Sequence, residues 1–336
     1  MDSFVRRLLL VVLALLLLWL TFEARQILLL AVGGLVVGVL LGGSSRRLTR
    51  HLSWPPGQWR YLFSLGAITS GALALLALAG YFVGPRIAGD LWQLQEKIPE
   101  GIEALKRFPP VAAYLENNGQ SGLSEEQMSS VTDALSSAAR SILSITIYSI
   151  TSAILVLFVG IFAAAQPRLY QDAVASCFPP GLRDDARSTV RACVEALWSW
   201  LKGQSLAMLL VGTLSTAGLW LIDVRYALTL GILAGIFQFV PYVGPIASAV
   251  PALLVAATMS PETILWVAIL YLGIQFAEGN FITPIVMRKE ANLPPLATLL
   301  ATVAFAAVFG VPGAIIATPL AVLLMVLKRE VYERRI

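Results

Sequence analysis

Two stretches of this chain, residues 226–261 and 291–327, carry no charged side chain, and proline and glycine break each of them near its middle. The first breaks at Pro241-Tyr242-Val243-Gly244-Pro245 and the second at Gly310-Val311-Pro312-Gly313. An unbroken helix through either stretch would run roughly 55 Å at about 1.5 Å per residue, whereas a bilayer's hydrocarbon core is about 30 Å thick and takes about 20 residues. Neither stretch therefore has to be a single crossing. Irregular backbone inside a membrane is tolerated where it is buried in protein or lines a cavity, so such breaks point to places where something binds or passes.

Composition sets the class. The chain is 57% hydrophobic and 13% charged, against about 45–50% and about 25% in soluble domains. A water-soluble domain of this size could not cover its surface with so few charges. The apolar segments are continuous, whereas the strands of outer-membrane barrels alternate over about 10 residues. The expectation is an all-α polytopic membrane protein with about eight apolar segments, the two broken ones open to folding as re-entrant hairpins. Basic residues sit in short groups beside apolar runs, Arg46, Arg47, Arg50 and Arg60 in one and Lys328, Arg329, Arg334 and Arg335 in another. That is the positive-inside pattern; the expected partner is the lipid bilayer and not nucleic acid.

Chemistry-bearing clusters are sparse. Cys177, Cys193 and the single His51 cannot assemble a Cys/His metal site, and nothing matches a phosphate-binding GxxxxGK[ST] loop, so no metal or cofactor is expected. An intramembrane enzyme is the least expected class, for want of a nucleophile and base arrangement. At the N-terminus Arg6-Arg7 and the apolar run 8–20 imitate a signal peptide. Thr21-Phe22-Glu23-Ala24 offers no small-x-small cleavage site, so a retained first helix is expected.

Along the chain, N-terminal membrane segments are expected over 1–83. The first two, at about 7–22 and 26–41, form a hairpin turned at Glu23-Ala24-Arg25. Gly33, Gly34 and Gly38 give the second segment a small-residue surface for close helix contact. A basic loop with His51, and with Trp54 and Trp59 as interfacial anchors, leads to a third segment at about 61–83. An extramembrane amphipathic insertion follows over 84–140, where acidic residues outnumber basic ones. Leu91, Leu94, Ile98, Ile102, Leu105 and Phe108 recur at helical spacing, with an interruption or bend near Pro99 and a stop at Pro109-Pro110. Ser124 and Gln127 make a capping box, and Leu123 with Met128 a hydrophobic staple, for a second helix. Packing on the protein's own surface explains this stripe most simply; a lid or subunit contact is the alternative. Next come a membrane segment at 141–165, a cytoplasmic amphipathic loop at 166–204, a C-terminal membrane core at 205–327 and a basic cytoplasmic tail at 328–336. If both broken stretches cross fully, Arg288-Lys289 lies outside. If both fold back, those charges lie in the cytoplasm, which suits the positive-inside tendency better. Both termini are cytoplasmic either way.

Glu278 is the only residue within the apolar span 263–287 that is charged in water at neutral pH. A carboxylate there is costly unless it meets water, a cation or a donor, and it marks a transport or coupling site; the alternative is a structural acid bonded to backbone near Gly279. Gln275 and Asn280 offer neutral polar contacts. At the first break, Pro241 and Pro245 remove amide donors, Gly244 allows close approach, and Gln238 and Tyr242 are the polar handles. At the second, Gly310, Pro312 and Gly313 permit the same argument, with Thr302 and Thr318 nearest.

These residues resemble a known family, the autoinducer-2 exporter family, also called the PerM permease family. The resemblance rests on Trp200-Leu201-Lys202-Gly203-Gln204, on Phe239 through Pro245, on Glu278-Gly279-Asn280 with Pro284 and Val286-Met287, and on Phe309-Gly310 through Pro319. It implies a multi-pass bacterial inner-membrane transporter of about eight segments. Members are described as exporters of a small signal, autoinducer-2, or as sodium/proton antiporters. A small polar solute or a monovalent cation, with protons, is the implied cargo, and self-association into a homo-oligomer fits the small-residue faces. The resemblance marks Pro241, Tyr242, Gly244, Pro245, Glu278, Gly279, Asn280 and Pro284. Asn292-Leu293-Pro294-Pro295 departs from the family's frequent Leu-His-Pro pattern, which leaves Glu278 as the main candidate for proton coupling. A non-transporting membrane scaffold that holds partners through 84–140 is the reading from a different class.

Overall fold

The computed structural model describes residues 23–51, 58–106, 147–282 and 295–332, and among them every element is helical. The apolar run at 7–22, Trp54, Pro109-Pro110, the capped helix from Ser124, Pro284, Arg288-Lys289, Pro294 and the end of the basic tail lie outside the described residues. In chain order the helices are α1 (Arg25–His51), α2 (Gln58–Phe82), α3 (Gly84–Lys106), α4 (Ile147–Ala165), α5 (Pro167–Ser176), α6 (Arg183–Leu221), α7 (Ala227–Phe237), α8 (Val243–Ala257), α9 (Pro261–Ala277) and α10 (Pro295–Tyr332). Five of these are long and apolar enough to cross a bilayer, and the bent pair α4–α5 makes a sixth. The expected eight are not reached among the described residues. Of the expected eight, the run at 7–22 lies outside the described residues, and the stretch 226–261 is divided into α7 and α8, which at 11 and 15 residues are shorter than the roughly 20 a crossing takes.

Three local expectations change. The basic group after residue 41 is helix and not loop. Ser45 Oγ, Arg46 Nε and Thr49 Oγ1 each donate to a carbonyl one turn back, and α1 runs on through Arg50 to His51. Basic side chains there complement the negative end of the helix dipole. Pro99 does not interrupt α3, which continues to Lys106. The segment after Gln166 is the short helix α5, started by Pro167 and turned 86° from α4.

The chain divides into two compact units. One comprises Met1–Leu65, Thr151–Val194 and Leu296–Ile336. In it the glycine face of α1 meets α4 at backbone distance. A Cβ on Gly38 would stand 2.9 Å from the Gly160 carbonyl oxygen, and one on Gly34 would collide with Val159. Lipid tails are as apolar as leucine, so helix pairs in a membrane gain from van der Waals fit, and small residues permit that fit. Tyr61 Oη closes this end with a 2.7 Å bond to the Ala164 carbonyl. On α5 and α6, Arg187 bridges Asp172 and Asp184, both at 2.9 Å.

The same unit holds most of α10 and its break. Gly310 sits at φ 67°, ψ −152°, a region open in practice only to glycine. Two residues on, Pro312 removes a helical amide donor. The arms fold back so tightly that a Cβ on Gly313 would overlap the carbonyl oxygen of Phe305. In a straight helix those residues would be about 12 Å apart.

The other unit comprises Gly66–Ile150 and Glu195–Pro295. Leu219 of α6, Leu230 of α7, Val255 and Ala256 of α8 and Val267 of α9 share one buried cluster with Leu94 of α3. Leu230 is near the start of α7 and Val255 near the end of α8, so the two helices run antiparallel as a hairpin. α7 also lies along α6, where Gly231 and Gly235 face Gly212 and Thr216 with no room for a side chain. The amphipathic α3 packs its apolar stripe on this core. Leu94 and Ile102 are buried, Gly101 meets the Leu254 carbonyl, Tyr226 Oη donates to Gln93 Oε1 at 2.7 Å and Thr229 Oγ1 donates to Asp90. Packing on the protein's own surface is therefore what this part of the insertion does.

Both folds-back depend on a glycine against a phenylalanine carbonyl, Gly244 on Phe237 and Gly313 on Phe305. Gly244→Ala and Gly313→Ala should each destabilise by about 1–3 kcal/mol, the usual cost of forced overpacking, and lower the melting temperature in detergent. Gly279→Ala should leave it unchanged, because no described atom lies within 4 Å of a Cβ there.

Candidate functional site

The hairpin tip follows from missing amides. α7 tightens at its end, where Phe239 and Val240 donate to carbonyls three residues back. Pro241 then has no N–H to extend the ladder. The chain reverses in a three-residue turn centred on Tyr242, with φ 65° and ψ −45° and a 2.8 Å bond from the Val243 amide to the Pro241 carbonyl. This is the γ-turn of positive φ, rare because it strains any residue with a Cβ. Gly244 donates to Val240 at 2.9 Å, and α8 begins.

Gln238, the last residue before the tip, is 2% exposed. Its Nε2 donates to Glu278 Oε1 on the neighbouring helix. Its Oε1 is buried with no hydrogen-bond partner among the described residues. Gln275, three residues before Glu278 on the same helix face, is near enough for its amide to act on the carboxyl group. Glu278 itself is partly buried and opens a π-helical turn, Glu278–Ile282. Wide turns of this kind leave a carbonyl short of a partner and recur at functional sites. Here Asn280 Nδ2 donates to the Phe276 carbonyl at 2.9 Å.

The structure thus joins Glu278, Gln275 and Gln238 and places Tyr242 at the tip as a strained backbone element with a 42% exposed side chain. Pro241, Gly244 and Pro245 shape that tip. Asn280 turns back on its own helix, and Gly279 stands in the π-helical turn. Gly310, Pro312 and Gly313 belong to the other unit; there Thr302 donates to Thr298 at 2.8 Å and Thr318 is buried with its Oγ1 unpartnered among the described residues. Glu278 lies nearer the end than the middle of its apolar helix, about 25 Å along it from Pro261.

Two further residues reach this place from α6. Gln204 Nε2 donates to the Gln238 backbone carbonyl, and Trp200 packs edge-on to Phe239 with ring centroids 5.7 Å apart. They stand four residues apart, on one helix face. A buried glutamine in an apolar helix signals a partner, since buried polar groups are paired, but it does not say which.

Spanning helices together with a folded-back broken pair that ends at a carboxyl group are features that recur in membrane transporters. Comparison with known sequences names the group. The chain matches the family described as AI-2E family transporter over residues 8–333, and it belongs to that family. It is 26% identical over 263 residues to "Putative transport protein YueF" of Bacillus subtilis, covering 74% of this chain and 70% of that one. It is 32% identical to "Putative transport protein YrrI" of the same organism over 149 residues, 44% of this chain and 42% of that one. "Putative permease PerM" of Escherichia coli is 28% identical over 132 residues, 39% and 37% of the two chains. The protein is a multi-pass membrane transporter of this family, which is a transporter and not an enzyme family.

Removing the strained Cβ tests the tip. Tyr242→Gly should stabilise the protein by about 1 kcal/mol, the strain relieved less the glycine entropy. Tyr242→Val, β-branched at positive φ, should destabilise it; tryptophan-fluorescence melting in detergent measures both.

Proposed function

We propose that the protein is a secondary transporter of the bacterial inner membrane that exports a small polar solute, with both termini in the cytoplasm. In this reading Glu278, Gln238 and Gln275 form the binding point, Tyr242 and Asn280 flank the pathway, and the two broken stretches are gates. The observation that carries it is the contact of Gln238 with Glu278. A folded-back helix tip ends on the carboxyl group at the C-terminal end of the neighbouring apolar helix, and it keeps one amide oxygen buried and without a partner among the described residues. A polar solute with hydroxyl or amine donors would complete that oxygen. Autoinducer-2, the signal in the family's name, is a cargo of this kind.

A second reading is exchange of a monovalent cation, sodium above all, for protons. The same atoms favour it, because an amide oxygen and a carboxylate oxygen are what a hard cation binds. In either case movement of the α7–α8 tip would open the site to one side.

In everted proteoliposomes the parent protein should accumulate autoinducer-2 against its gradient, or should move protons when a sodium gradient is imposed, read by an internal pH dye. Glu278→Gln should reduce either activity to the empty-vesicle background. Parental activity in a correctly inserted Glu278→Gln protein would overturn the role of Glu278, and no flux of any of these probes would favour a scaffold.

A further inference from the structure

Gln204 has no part in the binding point, yet it is 3% exposed. A primary amide buried that deeply costs about 1–3 kcal/mol if it goes unpaired. Its partner is unusual. The Gln238 carbonyl lies at the C-terminal end of α7, where a continuing helix would supply an amide from the next turn. Here the chain instead meets Pro241, which has no N–H, and reverses at Tyr242. An amide side chain on α6 thus supplies what the broken ladder cannot. The acceptor is a carbonyl, so Gln204 can serve it only through its NH₂ group.

Gln238 faces two ways. Its carbonyl is held by Gln204, and its side-chain NH₂ meets Glu278. Trp200, one turn earlier on α6, packs against the next residue, Phe239. α6 therefore grips both residues at which α7 gives way, and anchoring the Gln238 backbone limits where its side chain reaches.

We propose that Gln204 is a positioning residue for Glu278: by holding the Gln238 carbonyl it keeps the Gln238 amide on the carboxyl group, and so couples the hairpin tip to α9 through α6. The inference rests on the reading of Glu278 as the working group, but its test does not need transport.

The test uses the full-length protein in proteoliposomes and dicyclohexylcarbodiimide, a probe that modifies carboxyl groups in apolar surroundings. Mass spectrometry follows the labelling rate at Glu278. Gln238→Met removes the amide directly and should raise the rate about three- to tenfold, the worth of one hydrogen bond. Gln204→Met should raise it similarly, and the double variant should label no faster than either single one, because both act through one contact. Gln204→Asn keeps the amide but is one methylene short. It should behave as Gln204→Met does, and it decides the matter if the methionine variant fails to fold. Parental labelling in a folded Gln204 variant, or effects that multiply in the double variant, would overturn the proposal, since a purely structural Gln204 would lower the melting temperature without acting through Gln238. If this coupling holds while Glu278→Gln transports normally, the transport role of Glu278 fails and the positioning role stands.

Discussion

Backbone hydrogen bonding is the constraint on which this structure turns. In an apolar medium each amide and carbonyl must find a partner within the protein, and an unbroken helix meets that demand by itself. Proline at 241 and at 312 withdraws a donor, so the chain has to satisfy carbonyls by other means. At the first break it uses tightened turns, a strained γ-turn at Tyr242 and a side chain borrowed from α6. The irregular backbone is confined to a few residues because glycine lets the returning arm come up against the outgoing one.

That solution also builds the site. Folding α7 and α8 back on each other brings residue 238 beside residue 278, which are 40 positions apart in the chain. The hairpin is fixed along its length by small-residue contact with α6 and by α3 packed on α8, while its tip ends on polar contacts. Packed helices of this sort shift between discrete arrangements more readily than they deform. In the transport cycle proposed above, the tip held by hydrogen bonds between glutamines and a carboxyl group would be the moving part and the interlocked glycine seams the fixed one.

Much of the frame was legible in the sequence. Continuous apolar runs and scarce charge demanded membrane helices, the spacing of Leu91, Leu94 and Ile102 identified the apolar face of α3, and Gly34 and Gly38 identified a contact face of α1. Glu278 stood out because no other acidic or basic side chain lies in its span. Legibility failed where local preference is neutral. Arg46 to His51 suit the end of a helix as well as a loop, Pro167 starts a helix as readily as it ends one, and Pro99 was absorbed into α3. Trp200 and Gln204 were visible as residues but not as parts of the site, because a side chain that repairs another helix's backbone leaves no local pattern.

The sequence alone determined that this chain is a helical membrane protein, where two of its apolar stretches must break, and which carboxyl group would be conspicuous among them. It did not determine what the breaks do. A kinked crossing and a folded-back hairpin lose the same amides, so the local chemistry of Pro241 and Gly244 is identical in both. Tertiary packing made the choice: α7 is laid along α6 by Gly231 and Gly235, α8 is covered by α3, and the tip is anchored by Gln204. Those contacts join residues far apart in the chain, and only their geometry sets Gln238 against Glu278.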